Sequence, residues 1–312
     1  MRDSNDYFRD FLGVTRWHEL GYTGKNCIVG TGENLYKNQD HATNTADIFK
    51  EFAPDASLVY CGKDNEYFSR DITFIRDFVN SNNLTSMFMS YTSENVDFGS
   101  LSDLDEFTLL ASIGNDNEQS YNDIAIYDNV ISVGAYYLRY DSSKDNYYPV
   151  PTQFSSVSEY IDFSAPCMVD TSLQINFSGT SCSAPILCGM VTLINDFFIE
   201  KTGKPLSYVK MYEFLKDNSV DLKEIGFDNK TGFGMVILPE PSTIDICKYM
   251  EVNEMYNDDI NIASWAKDAV YFLKQTGIMT GSDGYFRPQD SISREEMAVI
   301  AYRIINYLNV GE

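Results

Sequence analysis

Nine residues, Phe177 to Pro185, constrain this chain more than any other stretch. They read Phe-Ser-Gly-Thr-Ser-Cys-Ser-Ala-Pro and run straight into an apolar segment, Ile186 to Phe198. Glycine at 179 permits a tight backbone approach. Proline at 185 suits a first helical turn, where its missing N–H leaves nothing unpaired. The apolar segment is long enough for a buried helix. Ser181 therefore falls at or just before a helix N-terminus, where unpaired N–H groups and the dipole favour developing negative charge. A serine so placed is suited to attack a carbonyl. The same residues also read as a serine N-cap on a core helix. The catalytic reading requires a base, an acid to orient it and an oxyanion donor elsewhere in the chain.

The candidates are few. Only two histidines occur, His18 and His41. His41 opens a probable helix ending near Phe52. Upstream, Cys27 to Glu33 reads as a short buried strand ending in an acid. The eight-residue step from Glu33 to His41 can span about 25 Å when extended. Leu84 to Tyr91 is a further strand, and the stretch Leu109 to Asp116 is another, running into Gly114-Asn115. Gly-Asn is also a common turn pair. Strands alternating with helices predict a largely parallel sheet covered on both faces. Side chains at strand ends and at one helix start would then converge at one edge.

Gly179-Thr180-Ser181-x-x-Ala184-Pro185 resembles the nucleophile motif of the subtilisin-like serine peptidases, the subtilases. The resemblance makes Ser181 the nucleophile. It extends to Gly21-Tyr22-Thr23-Gly24 before the first core strand and to His41-Ala42-Thr43-Asn44, similar to the family's His-Gly-Thr-His. His41 is then the general base. Ungapped from Thr23-Gly24, Glu33 takes the place of the catalytic aspartate; a gapped reading puts Gly30 there and leaves no acid. Asn115 is implied as the oxyanion donor. Ser90, Tyr91 and Gly114 match the backbone that pairs with substrate. The departures are glutamate for aspartate, Ala42, Asn44, Thr92 where a glycine is usual, and a shortened Glu33–His41 interval. Val130 to Ala135, Ile161 to Pro166 and Thr231 to Val236 match further family segments, so the resemblance covers about residues 8–240.

A net charge of −23 makes nucleic acid a poor partner. No stretch reads as a membrane span or as a signal peptide, since the charged N-terminus lacks an apolar run behind it. The six cysteines form no CxxC pair and are expected to be reduced and mostly buried. No cofactor and no metal are expected.

After Pro239-Glu240-Pro241 the chain changes character. Trp265-Ala266, Ala269, Val270, Phe272 and Leu273 have helical spacing. Ser293 with Glu296 reads as a capping box opening a second helix, with Met297, Ile300, Ala301, Ile304 and Leu308 as its buried stripe. A helix–loop–helix of about 50 residues is a marginal core alone. Trp-Ala, Gly284-Tyr285-Phe286-Arg287-Pro288 and Ile292-Ser293-Arg294-Glu295-Glu296 closely resemble a single S-layer homology module. The resemblance implies binding of cell-wall polysaccharide, often pyruvylated, with Trp265 and Arg294 at positions tied to it. Core packing is the other reading of Trp265. Such modules usually act in threes, so one copy points to a homotrimer, to weak binding, or to reuse as a packing domain.

The expected architecture is therefore α/β: a subtilase-like domain over residues 1–240, a linker over 241–254, and an all-α module over 255–312. The expected function is a serine endopeptidase acting on protein or peptide substrates, held at a cell-wall or extracellular surface. The rivals are a catalytically inactive binding or assembly protein of the same fold, and a virion or cytoplasmic component.

Overall fold

The computed structural model describes residues 5–35, 38–62, 72–90, 101, 104–117, 121–127, 129–250 and 255–309. The chain enters through two short helices, α1 (Asp6–Phe11) and α2 (Val14–Glu19). It continues as β1 (Ile28–Asn34), α3 (Gln39–Phe52), β2 (Ser57–Gly62), α4 (Ile72–Asn82), β3 (Ser86–Met89), β4 (Thr108–Ser112), β5 (Val130–Asp141), β6 (Asn146–Pro151) and β7 (Phe163–Pro166). Then come α5 (Thr180–Thr202), α6 (Tyr208–Asp217), β8 (Ser219–Val220), β9 (Met235–Val236), α7 (Ile246–Tyr249), α8 (Lys267–Gln275) and α9 (Arg294–Asn309). The strands form one sheet in the order β2-β1-β3-β4-β5-β7-β9-β8, with β6 paired to β5. Every pairing is parallel except β5–β6 and β8–β9. The expected parallel, two-faced sheet is thus present.

The core sits on α5. Every residue from Cys182 to Phe198 is buried, and the helix packs on α3 and on β3, β4, β5 and β7. A helix apolar all round has to be interior. By length and composition α5 is apolar enough to cross a membrane, but 94% of that window is buried within the protein. Gly189 lets α3 approach, since a Cβ there would lie 2.5 Å from the Phe52 Cβ. The buried Asp196 carboxylate accepts from the amides of Thr23, Gly24 and Asn26 and from the Asn26 side chain. It therefore fixes the Gly-Tyr-Thr-Gly turn from which β1 starts.

Four features differ from the sequence reading. Pro185 lies inside α5 rather than in its first turn, so Ser181 loses a helical N–H partner for its carbonyl. The strand beginning at Val130 continues into an antiparallel hairpin. Part of the expected linker packs down: the Tyr249 ring lies 4.9 Å from Phe214, and its hydroxyl donates to Asp217 at 2.8 Å. The stripe on α9 is not buried at its described side chains; Leu308 lies outside them. Met297 and Ile304 are 52% and 39% exposed, Ala301 is exposed and Ile300 half-buried, because α8 and its loop are too small to cover it. The capping box is present, with Ser293 N donating to Glu296 and Glu296 N to Ser293 Oγ at 2.8 and 3.1 Å. All six cysteines are free thiols, five of them buried.

Candidate active site

The carboxyl ends of β1, β3 and β4 and the start of α5 bring the candidate residues together. β1 carries an extra residue against β2: Thr31 pairs with Tyr60, but Asn34 pairs with Gly62. Such a bulge bends a strand and re-aims a side chain. Here it falls at Gly32-Glu33. Glu33 is 3% exposed, and its Oε2 lies 2.8 Å from His41 Nδ1. Gly30 lies within the strand, registered with Val59 and Met87. His41 sits in the first turn of α3, where Asn38 caps the helix by accepting from the His41 amide at 3.3 Å. Phe177 meets the imidazole edge-on, with ring centroids 5.8 Å apart. The other Glu33 oxygen is buried without a hydrogen-bond partner among the described residues.

Gly179 precedes α5 with φ of +117°, a conformation that favours glycine. Thr180 donates to Asn115 Oδ1 through both its amide and its hydroxyl, at 2.9 and 3.1 Å. Both bonds fall on the acceptor atom, so the Asn115 NH2 group stays available as a donor. Gly114, with φ of +121°, holds the preceding turn by accepting from Ser156 N at 3.1 Å. The Ser181 hydroxyl donates to the Ser90 carbonyl at 2.8 Å, and no hydrogen bond joins it to His41. Ser90 is buried at the end of β3. Tyr91 and Thr92 lie outside the described residues.

Two thiols lie beside the turn that carries Ser181. Burial pushes Cys167 up to about 12 and Cys182 higher still. Both stay protonated at neutral pH, which leaves the adjacent serine without a competing thiolate. Among the described residues no group of three or more His, Cys, Asp or Glu stands where it would hold a metal.

In the C-terminal module Trp265 is 87% exposed in a single 3-10 turn, so it is not a core residue. Arg294 is exposed at the start of α9. Neither lines the module's cavity of about 410 Å³, whose cationic walls are Arg287 and Arg303. The sequence reading missed both, although Arg287 stands inside the Gly-x-Phe-x-Pro motif.

A model of the subtilase family matches residues 32–234. The chain belongs to the subtilase family. A model of the S-layer homology domain matches residues 256–298, so a subtilase-family peptidase domain is followed by an S-layer homology domain. Solved structures with the same fold include a lanthipeptide protease at 15% identity and a TM-score of 0.58, covering 75% of this chain and 92% of that one. The prenylagaramide maturation protease PagA matches at 17% and 0.57, covering 77% and 99%. The subtilisin-like protease Apa1 from the Antarctic psychrotroph Pseudoalteromonas sp. AS-11 matches at 15% and 0.54, covering 74% and 95%. At these identities the likeness is one of fold. No curated protein matches the sequence. The S-layer homology domain implies association with a cell surface or S-layer.

Proposed function

We propose that this subtilase is a serine endopeptidase that cleaves peptide bonds through an acyl-enzyme. The observation that carries the reading is the buried Glu33 carboxylate on His41 Nδ1, delivered there by a bulge. A carboxylate at Nδ1 keeps the proton on that nitrogen and frees Nε2 to act as a base. His41 takes the Ser181 proton as Oγ attacks the carbonyl and then gives it to the leaving amine. The Asn115 NH2 and the N–H groups at the start of α5 hold the oxyanion. In the free protein the Ser181 hydroxyl rests on the Ser90 carbonyl. A substrate N–H pairing with that carbonyl would displace it, and a neutral hydrogen bond of about 1 kcal/mol is a small barrier to the swing. Active-site hydrogen bonds are often loose before substrate binds. The test is turnover of an unfolded protein or internally quenched peptide by the purified chain. Cleavage lost in Ser181→Ala and His41→Ala supports the reading; cleavage unaffected by either overturns it.

One observation favours a second reading, an inactive assembly protein of the same fold: the absence of a hydrogen bond between Ser181 and His41. Well-folded protein without turnover on any such substrate would select it.

The domain division at 240 and 255 and the anchoring role belong to the same proposal. The module is to bind cell-wall polysaccharide, with Arg294 offering paired hydrogen bonds to an anionic substituent and Trp265 a flat face for a sugar ring. The exposed α9 residues Met297, Tyr302 and Ile305 supply a face that a homotrimer would cover. Polymer pull-down with light scattering, on wild type and Arg294→Ala, checks it. A monomer that ignores the polymer contradicts it.

A further inference from the structure

A cavity of about 600 Å³ lies beside the nucleophile turn, walled by elements that the catalytic reading does not use. Its rings come from α1 (Tyr7) and from the β5–β6 hairpin (Tyr137), which also supplies Val150 and Arg139; Met168 and Asn176 close it on the side of the 167–177 loop. We propose that this cavity is a specificity subsite for the leaving-group half of the substrate. It would take a bulky apolar side chain with a carboxylate beyond it. The inference rests on the peptidase reading.

Three observations carry it. The first is position. The leaving amine takes its proton from His41, so that half of the substrate departs past His41 and the Phe177 ring packed on it. The residue before Phe177 is Asn176, a cavity wall. The acyl half is the one assigned to the Ser90 strand, so the two halves have separate seats. The loop between the cavity and the nucleophile is pinned, since Val169 and Phe177 pair as an antiparallel bridge. Met168 and Asn176 both hold left-handed backbone there, with φ of +70° and +55°.

The second is the chemistry of the walls. Tyr7 is stacked on Tyr147 with centroids 4.6 Å apart and planes 13° from parallel. Tyr7 also packs on Phe8, with centroids 4.0 Å apart, so its ring is fixed in the wall. Together with Phe8, Tyr137 and Val150 it gives the cavity an apolar lining that suits an aromatic or branched side chain at little entropic cost. The volume falls in the range of pockets that enclose small ligands.

The third is Arg139. It is exposed on β5 over the Tyr137 ring at 5.9 Å, and no described carboxylate pairs with it. In a chain with 46 acidic and 23 basic residues, a guanidinium with no acid beside it among the described residues can take one from outside. Its planar fork suits a carboxylate, whether an acidic side chain or the peptide's own C-terminus.

The test reads selectivity inside a single reaction. Ser181 is acylated with a small activated ester, p-nitrophenyl acetate, which leaves the leaving-group side empty. Paired amine nucleophiles then compete for the acyl group. The amine attacks the ester carbonyl, the bond from carbon to Ser181 Oγ breaks, and the amine proton returns through His41 to Oγ. Dipeptide amides carrying phenylalanine at either position compete with Ala-Ala amide. Acid-bearing amides and a free-acid dipeptide compete with neutral amides, separating the two sources of carboxylate. The expected ratio is tenfold or more for phenylalanine, at one position at least, with a further gain of threefold or more from one source of carboxylate. Val150→Trp, which fills the cavity from the edge strand, should cut the first ratio below threefold. Arg139→Ala should remove only the second gain. Acyl transfer without preference in wild type, or a preference that survives Val150→Trp, overturns the subsite alone. Failure to form any acyl-enzyme overturns the peptidase reading and the subsite together.

Discussion

Replacing Glu33 by glutamine changes little in volume and removes one charge. The Glu33 carboxylate lies 2.8 Å from His41 Nδ1 and is 3% exposed, so water does little to replace it. When Ser181 attacks, His41 becomes an imidazolium, and Glu33 is the carboxylate in contact with it. With charge centres about 4 Å apart and an effective dielectric constant of about 20, the attraction is about 4 kcal/mol, or a factor of about 10³ in rate. Glutamine also turns its NH2 toward Nδ1 and so favours the tautomer in which Nε2 carries the proton and is no base. Steady-state kinetics on a quenched peptide, with circular dichroism to establish folding, should therefore give a kcat of Glu33→Gln at least tenfold and more nearly a thousandfold below wild type. KM should change little. A folded variant within threefold of wild type would refute the role assigned to Glu33.

Asn115→Ala should lower kcat by about 10²–10³, the range for loss of one oxyanion donor, and should also leave the Thr180 amide without its acceptor. Asp196→Ala should destabilise folding by roughly 3 kcal/mol or more in urea unfolding, because buried backbone N–H groups lose their partner. Burial holds His18 below its ordinary value more strongly than the hydrogen bond to Phe52 O raises it. The unfolded chain therefore binds that proton more readily, and stability is lost as pH falls through about 6.5. His18→Gln should flatten the urea midpoint between pH 7 and 5; an unchanged slope would exclude His18 as its source.

The candidate site was legible where its parts are local. A glycine before a helix, a serine in the first turn and an apolar run to bury behind it leave a signature within a dozen residues. Asn115 and His41 each stand at the junction of an element and a turn, which composition marks well. Glu33 was legible by itself only as a strand end, and as a partner of His41 only through the family resemblance, because its aim depends on a bulge that only pairing with β2 creates. The β5–β6 hairpin was missed: Val130 to Ala135 was marked only as a family segment, and the residues after it gain an antiparallel partner in β6. The α9 stripe was misjudged for a related reason. Periodicity reports which face is apolar, and the size of the partner decides whether that face is covered. The cavity beside the Ser181 turn could not be read at all, since α1, the hairpin and the 167–177 loop meet only in three dimensions.

The most direct test of the central claim is covalent labelling of the serine. Purified wild-type protein is treated with a fluorophosphonate probe, and the modified peptide is located by mass spectrometry. The account predicts one adduct, on Ser181, formed in a time-dependent way and abolished in Ser181→Ala and His41→Ala. Folded wild-type protein that takes up no probe, or takes it up at a residue other than Ser181, would contradict it.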